Sequence, residues 1–225
     1  MQSEYPAPSI TVVTSTLFEE NAYLIALPGQ TSGIVVDPGL EPEAIFTEFE
    51  RLAWTPAAIL NTHGHADHIA GNEAMKQRWP DCPLIIGVGD AGKLTDPIGN
   101  LSAGFGMPIV SPPADRLVRE GDELDIAGIR WTVRETPGHS SGHVVFLALD
   151  LKPVLVLGGD VLFAGSVGRT DFPDGDSATL VASIREKLFT LPDDAVVLPG
   201  HGPATTIGRE KRSNPYVGAG AVSEW

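Results

Sequence analysis

The sequence predicts an α/β fold of two packed β-sheets with helices on their outer faces. Three observations point there. Short apolar runs rich in Val, Ile and Leu alternate with helix-like stretches. The order strands, then helix, then strand occurs in each half of the chain. No linker or low-complexity segment splits the 225 residues, a length that suits one large domain with a real core. The expected organisation is a single domain over residues 1–225.

The first half opens on strands. Ile10–Val13 is β-branched, Asn21–Leu27 ends in Pro28-Gly29, and Gly33–Val36 runs into Asp37-Pro38-Gly39. The short turns between them predict an antiparallel meander. Pro42–Leu52 reads as a helix, with Pro42 suited to the first turn and Ala44, Ile45, Phe49 and Leu52 at helical spacings. Ala57–Leu60 reads as a buried strand, Asn72–Trp79 as a helix closed by Pro80, and Pro83–Gly87 as another buried strand. From Gly89 to Ala114 no period holds, and Gly, Pro and Ser are frequent. An irregular insertion of that length is a lid, a binding wall or inert surface.

The second half resumes at Arg116–Val118. Asp122–Ile126 and Ile129–Thr136 alternate in period two around Ala127-Gly128, a hairpin signal. Val144–Leu149 and Val154–Leu157 are further strands, and Ser177–Leu188 is a helix with Leu180, Val181, Ile184 and Leu188 on one face. Ala195–Leu198 is a last buried strand. The tail, Ile207–Trp225, is expected to hold one helical turn and a flexible end.

Composition narrows the function. Formal net charge is −14, against a phosphate backbone or an anionic membrane as the main partner. No apolar run reaches the length of a membrane span. Met1–Pro6 shows no basic region followed by an apolar core, so no leader is expected and the cytoplasm is the expected compartment. The one cysteine, Cys82, has no partner for an intramolecular disulfide and reads as a half-buried structural thiol.

Metal-ligand types gather at strand ends. Thr62-His63-Gly64-His65-Ala66-Asp67-His68 places three imidazoles and a carboxylate in one loop after a buried strand. His139, Asp160 and His201 each follow a later apolar strand. Five of the six histidines fall in this set of seven residues. They can meet if all these strand ends lie on one edge. Imidazole and carboxylate without thiolate favour zinc, iron or manganese, and seven ligands are too many for one tetrahedral ion. Two divalent ions, zinc first among them with iron or manganese also suited, are the expected cofactors. Such a pair, about 3.5 Å apart, holds a bridging water and gives hydroxide near neutrality. Asp37 is either a turn-forming residue before Pro38 or a carboxylate that orients a ligand histidine. The sixth histidine, His143, reads as a hydrogen-bonded structural residue.

The motif Thr62–His68, with Thr136-Pro137-Gly138-His139, Gly158-Gly159-Asp160 and Pro199-Gly200-His201-Gly202 in that order, resembles the metallo-β-lactamase superfamily. The likeness spans about residues 10–210. Within the superfamily the chain is most similar to the short bacterial form of the type II glyoxalases, through Gly165–Pro173 and Pro203–Glu210. The resemblance implies a four-layer αββα sandwich. It implies that His63, His65 and His139 hold one metal, that Asp67, His68 and His201 hold the other, and that Asp160 bridges them. The implied reaction is hydrolysis of a small-molecule thioester, of the S-(2-hydroxyacyl)glutathione type, by a metal-bridging hydroxide. Asp67 would be catalytic as well as ligating, holding the hydroxide's proton. Arg169 would pair with a carboxylate of the substrate, or else form a surface salt bridge.

Only 24 residues follow His201, too few for the helical glutathione-binding domain of full-length glyoxalases, so the thiol carrier stays open. The nearest rival is a one-iron persulfide dioxygenase using His63, His139 and Asp160, which shares Gly168–Phe172 but lacks the Pro-Gly-His-Gly context of His201. A non-enzymatic metal-binding module is the alternative from another class.

Overall fold

The computed structural model describes residues 6–221. Residues 1–5, within the segment read for a leader, and the end of the tail, 222–225, lie outside the described residues. The first half builds β1 (Ser9–Thr14), β2 (Asn21–Ala26), β3 (Ser32–Val36), α1 (Pro42–Leu52), β4 (Thr55–Asn61), α2 (Ala66–Ile69), α3 (Asn72–Arg78), β5 (Leu84–Gly87) and β6 (Arg116–Val118). The six strands form one sheet in sequence order. It is antiparallel from β1 to β3, the expected meander, and parallel from β3 to β6. The switch follows from the connections: tight turns allow only antiparallel neighbours, whereas helical crossovers return the chain parallel.

The second half builds β7 (Glu123–Ile126), β8 (Ile129–Glu135), β9 (Val144–Ala148), β10 (Leu155–Gly159), β11 (Leu162–Phe163), β12 (Ser166–Val167), α4 (Ser177–Ser183), β13 (Val196–Pro199), β14 (Thr205–Thr206) and α5 (Ile207–Ser213). The second sheet runs β14-β13-β10-β9-β8-β7, and β11 pairs with β12 apart from it. The β7–β8 turn puts Ala127 at φ 53° and Gly128 at φ 77°, the two left-handed residues that a type I′ hairpin needs. Asp176 caps α4, its carboxylate accepting from the Thr179 amide at 2.7 Å, and the helix continues as a π-helical turn to Leu188.

Alternation along the strands decides the layers. Ile25, Ile34, Leu60 and Ile85 of the first sheet face Trp131, Val133, Phe146 and Leu157 of the second. The opposite faces are covered by helices: Leu24, Val35 and Ile59 pack on Ile45 and Phe49 of α1 and Met75 of α3, and Val145, Val156 and Val197 pack on Leu180 and Ile184. The result is the αββα sandwich. Each fully buried Leu, Ile or Phe contributes roughly 1.5–3 kcal/mol, so these three clusters are the main stabilising term. Cys82 is buried in the outer cluster of the first sheet, and burial pushes its thiol up to about 11. No helix of the described residues is long and apolar enough to cross a membrane.

Two local expectations change. The loop after His65 turns into one helical turn, α2, which carries Asp67 and His68. The tail is packed as far as it is described rather than free after one turn. α5 has seven residues with Thr206 as its cap, and Val217 beyond it is buried. Glu210, wholly buried, explains this. Its carboxylate accepts from Thr205 Oγ1, the Gly165 amide and Asn214 Nδ2, so the tail is tied to the β11–β12 hairpin.

Candidate metal centre

The expected shared edge exists. The C-terminal ends of β3, β4, β8, β10 and β13 deliver Asp37, His63, His139, Asp160 and His201 to one rim between the sheets. Strand β2 of the first sheet grips the last of these loops. The Asn21 amide donates to the Gly200 carbonyl at 2.7 Å, Asn21 Nδ2 to the Gly202 carbonyl at 2.9 Å, and Tyr23 Oη to the Pro199 carbonyl at 2.7 Å. Ligand-type residues of both halves are thereby fixed relative to each other.

All seven sequence-predicted metal residues come together. His65 Nδ1 lies 3.1 Å from His63 Nε2 and 2.9 Å from His139 Nε2. On the other side His201 Nε2 lies 3.3 Å from Asp67 Oδ2, and His68 Nε2 lies 3.8 Å from the same oxygen. Asp160 stands between: Oδ2 is 3.6 Å from His139 Nε2 and 3.5 Å from His201 Nε2, and Oδ1 is 3.6 Å from His68 Nε2. Ligand atoms about 2.0–2.1 Å from a tetrahedral zinc ion lie roughly 3.3 Å from one another, so both clusters have the spacing of a ligand set. His68 Nε2 and Asp160 Oδ1 are also buried with no hydrogen-bond partner among the described residues. Orphaned buried polar atoms are costly, and ions would satisfy both. The donor set can hold two metal ions.

Backbone space enforces this arrangement at Gly200. A Cβ there would lie 2.2 Å from Asp160 Oδ1 and 2.6 Å from His68 Cε1, so only glycine lets the strand end approach.

The rings are aimed by partners behind them. Asp37 Oδ2 accepts from His68 Nδ1 at 3.1 Å and from Thr62 Oγ1 at 2.7 Å, while Oδ1 accepts from the Thr62 amide at 2.8 Å. Thr62 Oγ1, having donated to Asp37, accepts from His63 Nδ1 at 3.1 Å. One carboxylate thus holds two ligand-type histidines, which decides between the two readings of Asp37 in favour of the orienting one. His139 Nδ1 donates to the Arg169 carbonyl at 2.8 Å. His143 is structural, as expected: its Nε2 accepts from the Asp160 amide at 3.1 Å, so Nδ1 carries the proton and donates to Thr136 Oγ1 at 3.0 Å.

Three contributors escape sequence reasoning. Asp90, wholly buried in the insertion, accepts from the Gly64 amide, Ser140 Oγ and the Gly142 amide at 2.7–2.8 Å, and Lys93 Nζ lies 3.0 Å away. It joins the His63–His68 loop to the His139 loop. Asn21 ties β2 to the His201 loop through the Gly200 and Gly202 carbonyls. Glu20, just before β2, is wholly buried, its two carboxyl oxygens have no hydrogen-bond partner among the described residues, and burial holds its carboxyl well above the usual range. An Asp or Glu in a Gly-rich or turn segment carries no signal of a partner 26 to 52 residues away.

The electrostatics split the site. Burial and repulsion from His139 bring His65 down to about 3, and burial with the neighbouring imidazoles holds His63 well below its ordinary value. Those nitrogens stay neutral with lone pairs free. At His68 burial also disfavours charge, but the carboxylates of Asp67 and Asp160 outweigh it and raise its pKa well above the ordinary value. That half of the site attracts a cation.

The centre opens into a cavity of about 410 Å³. Asp67 and His201 are its more exposed members, with side chains 22% and 28% accessible, whereas His63 and His68 are closed off. The insertion forms one wall, ordered by two short 3₁₀ helices at Ala91–Thr95 and Ser102–Phe105. Arg169 stands at the rim, stacked over Phe172 at 4.8 Å and paired through two nitrogens with Asp171 at 2.8–2.9 Å.

Comparison with known proteins agrees with this geometry. Residues 15–201 match the family model described as the metallo-beta-lactamase superfamily. A curated relative, hydroxyacylglutathione hydrolase GloC of Haemophilus influenzae, is 37% identical over 212 residues, covering 93% of this chain and 98% of that protein. Among solved structures, the BLEG-1 B3 metallo-beta-lactamase superposes with a TM-score of 0.87 at 36% identity, covering 93% of this chain and 99% of that one. TTHA1623, solved in a di-iron-bound form, gives 0.80 at 37% identity, covering 92% and 99%.

Proposed function

The chain belongs to the metallo-β-lactamase superfamily, and from that premise we propose that it hydrolyses a small-molecule thioester, with S-(2-hydroxyacyl)glutathiones the class to test first. The observation that carries this reading is Asp160, whose two oxygens lie 3.5–3.6 Å from ligand-type nitrogens of both clusters. The relationship to a hydroxyacylglutathione hydrolase supports the substrate class.

His63, His65 and His139 would hold one ion, Asp67, His68 and His201 the other, and Asp160 both. Zinc heads the expected metals; iron suits the same donors, and the di-iron form of a relative supports it as an alternative. Two such ions supply Lewis acidity to the acyl carbonyl and an activated water at neutral pH.

The residues around them do the rest. Burial disfavours ionised Asp67, but His68 and His201 outweigh it and hold its carboxyl below the ordinary range. It remains an acceptor at neutral pH, placed at the open side of the centre to hold the proton of the attacking water. Asp37 keeps the His68 ring from rotating away, and His143 holds the backbone at Asp160 through its amide. Arg169, at the rim, would exchange Asp171 for a carboxylate of the thiol carrier. A thiolate leaves readily, so no strong general acid is required.

The test is thiol release from S-lactoylglutathione by the purified protein. Stripping with a chelator should reduce the rate at least 100-fold, and zinc, iron or manganese should restore it. Absence of metal-dependent release from any thioester would sink the reading. The 36% identity to a B3 metallo-β-lactamase supports one second reading, β-lactam hydrolysis, which a chromogenic cephalosporin in the same assay distinguishes.

A further inference from the structure

The cavity wall built by the insertion is apolar in a particular way. Leu101, Phe105, Met107 and Ile109 of the insertion line it beside the centre, joined by Phe18 from the β1–β2 connection. Phe105 and Met107 are 60% and 47% exposed, and Phe105 meets Phe18 edge to face with ring centroids 5.7 Å apart. Large side chains left open to water beside a catalytic cluster cost free energy unless a ligand covers them. Leu101 is held at φ 72°, a backbone region that branched side chains rarely adopt and that concentrates at ligand clamps.

The polar residues of the wall are already engaged. Ser102 Oγ donates to Asn100 Oδ1 at 2.6 Å and accepts from the Ile109 amide at 2.9 Å. Asn100 Nδ2 donates to the Lys93 and Ile109 carbonyls at 3.1 and 2.9 Å. Both side chains are buried and turned into the loop, so neither offers a donor to a substrate. Beyond the ligand-type residues, the charged lining residue is Arg169, stacked on Phe172.

We infer that this wall is a specificity-determining subsite for an apolar acyl chain, so that the enzyme prefers acyl groups longer and more apolar than lactoyl. The inference rests on the thioester reading above and names its substrate class. A glutathione-type thiol, with two carboxylates and two peptide groups, would leave polar groups desolvated against Phe18, Phe105 and Met107; it belongs on the Arg169 side. The acyl substituent is the part of the substrate that the wall fits. A cavity of about 410 Å³ is ample for a chain of several carbons.

The test uses glutathione thioesters of 2-hydroxypropanoate, 2-hydroxybutanoate and 2-hydroxyhexanoate on the metal-loaded protein. Full burial of a methylene is close to a fourfold effect, so kcat/KM should rise at least tenfold across the series. Phe105→Ala combined with Met107→Ala should collapse the ratio between the longest and shortest substrates to threefold or less. A binding readout without chemistry accompanies it: S-hexylglutathione should bind at least tenfold tighter than S-methylglutathione by calorimetry, and the double variant should erase the difference. A flat or falling series with lactoyl turned over, or equal binding of the two thioethers, overturns the subsite and leaves the thioester reading standing. No turnover with the alkyl preference intact overturns the thioester reading and upholds the subsite.

Discussion

Asp37 accepts a hydrogen bond from His68 Nδ1 at 3.1 Å while binding Thr62, which in turn holds His63. One carboxylate at the end of β3 therefore sets ring orientations in both halves of the candidate centre. Asp37→Asn keeps the volume but replaces an acceptor oxygen with an amide. Its expected effect is a 10- to 100-fold loss of metal affinity, measured by competition with a chelator, with the thermal midpoint of the metal-free protein shifted little. Unchanged affinity would return Asp37 to a turn-forming role.

Gly200 gives a steric prediction. Gly200→Ala puts a methyl 2.2 Å from Asp160 Oδ1, and the carboxylate must move off both clusters. Elemental analysis should show loss of at least one ion per chain while circular dichroism stays native. Gly92→Ala, where nothing lies within 4 Å of the new methyl, is the control and should change stability by less than about 0.5 kcal/mol.

Asp90 predicts stability rather than chemistry. Asp90→Ala leaves the Gly64 and Gly142 amides without their acceptor and the 12%-exposed Lys93 ammonium with Asp174 as its remaining partner, at 2.6 Å. Each buried amide left without an acceptor costs about 1–3 kcal/mol, to be read from urea unfolding. A loss under about 1 kcal/mol would mean that water replaces the carboxylate and that the two ligand loops are held by other contacts.

Arg169 predicts a split in kinetics. Its side chain is 69% exposed and makes no core contact, so Arg169→Ala should fold normally. KM for a glutathione thioester should rise about tenfold with kcat within twofold, because a remote carboxylate contact is made equally in the ground and transition states. An unchanged KM would leave Arg169 only its surface pair with Asp171.

Much of this was legible in the chain. The strands showed because buried runs such as Pro83–Gly87 and Val154–Leu157 are bounded by turn residues, and the period-two runs on either side of Ala127-Gly128 signal its hairpin. The cluster showed because histidine is scarce and five of six stand at strand ends. What was hidden depends on tertiary contact. Strands of two residues, β11 and β12, have no period to detect. The packing of α5 is decided by Glu210, whose partners lie on other elements. Asp90 bonds Ser140 across 50 residues, and Asn21 bonds Pro199 across 178; no local pattern encodes either.

If these seven residues hold two ions and the protein hydrolyses a thioester through them, metal content and turnover must rise together. Elemental mass spectrometry on protein purified without added metal, with S-lactoylglutathione turnover measured on the same sample, tests it most directly. The expected result is about two ions per chain and turnover that scales with metal content. One iron per chain, no thioester turnover, and oxygen uptake with glutathione persulfide would contradict it and leave His201 outside the chemistry.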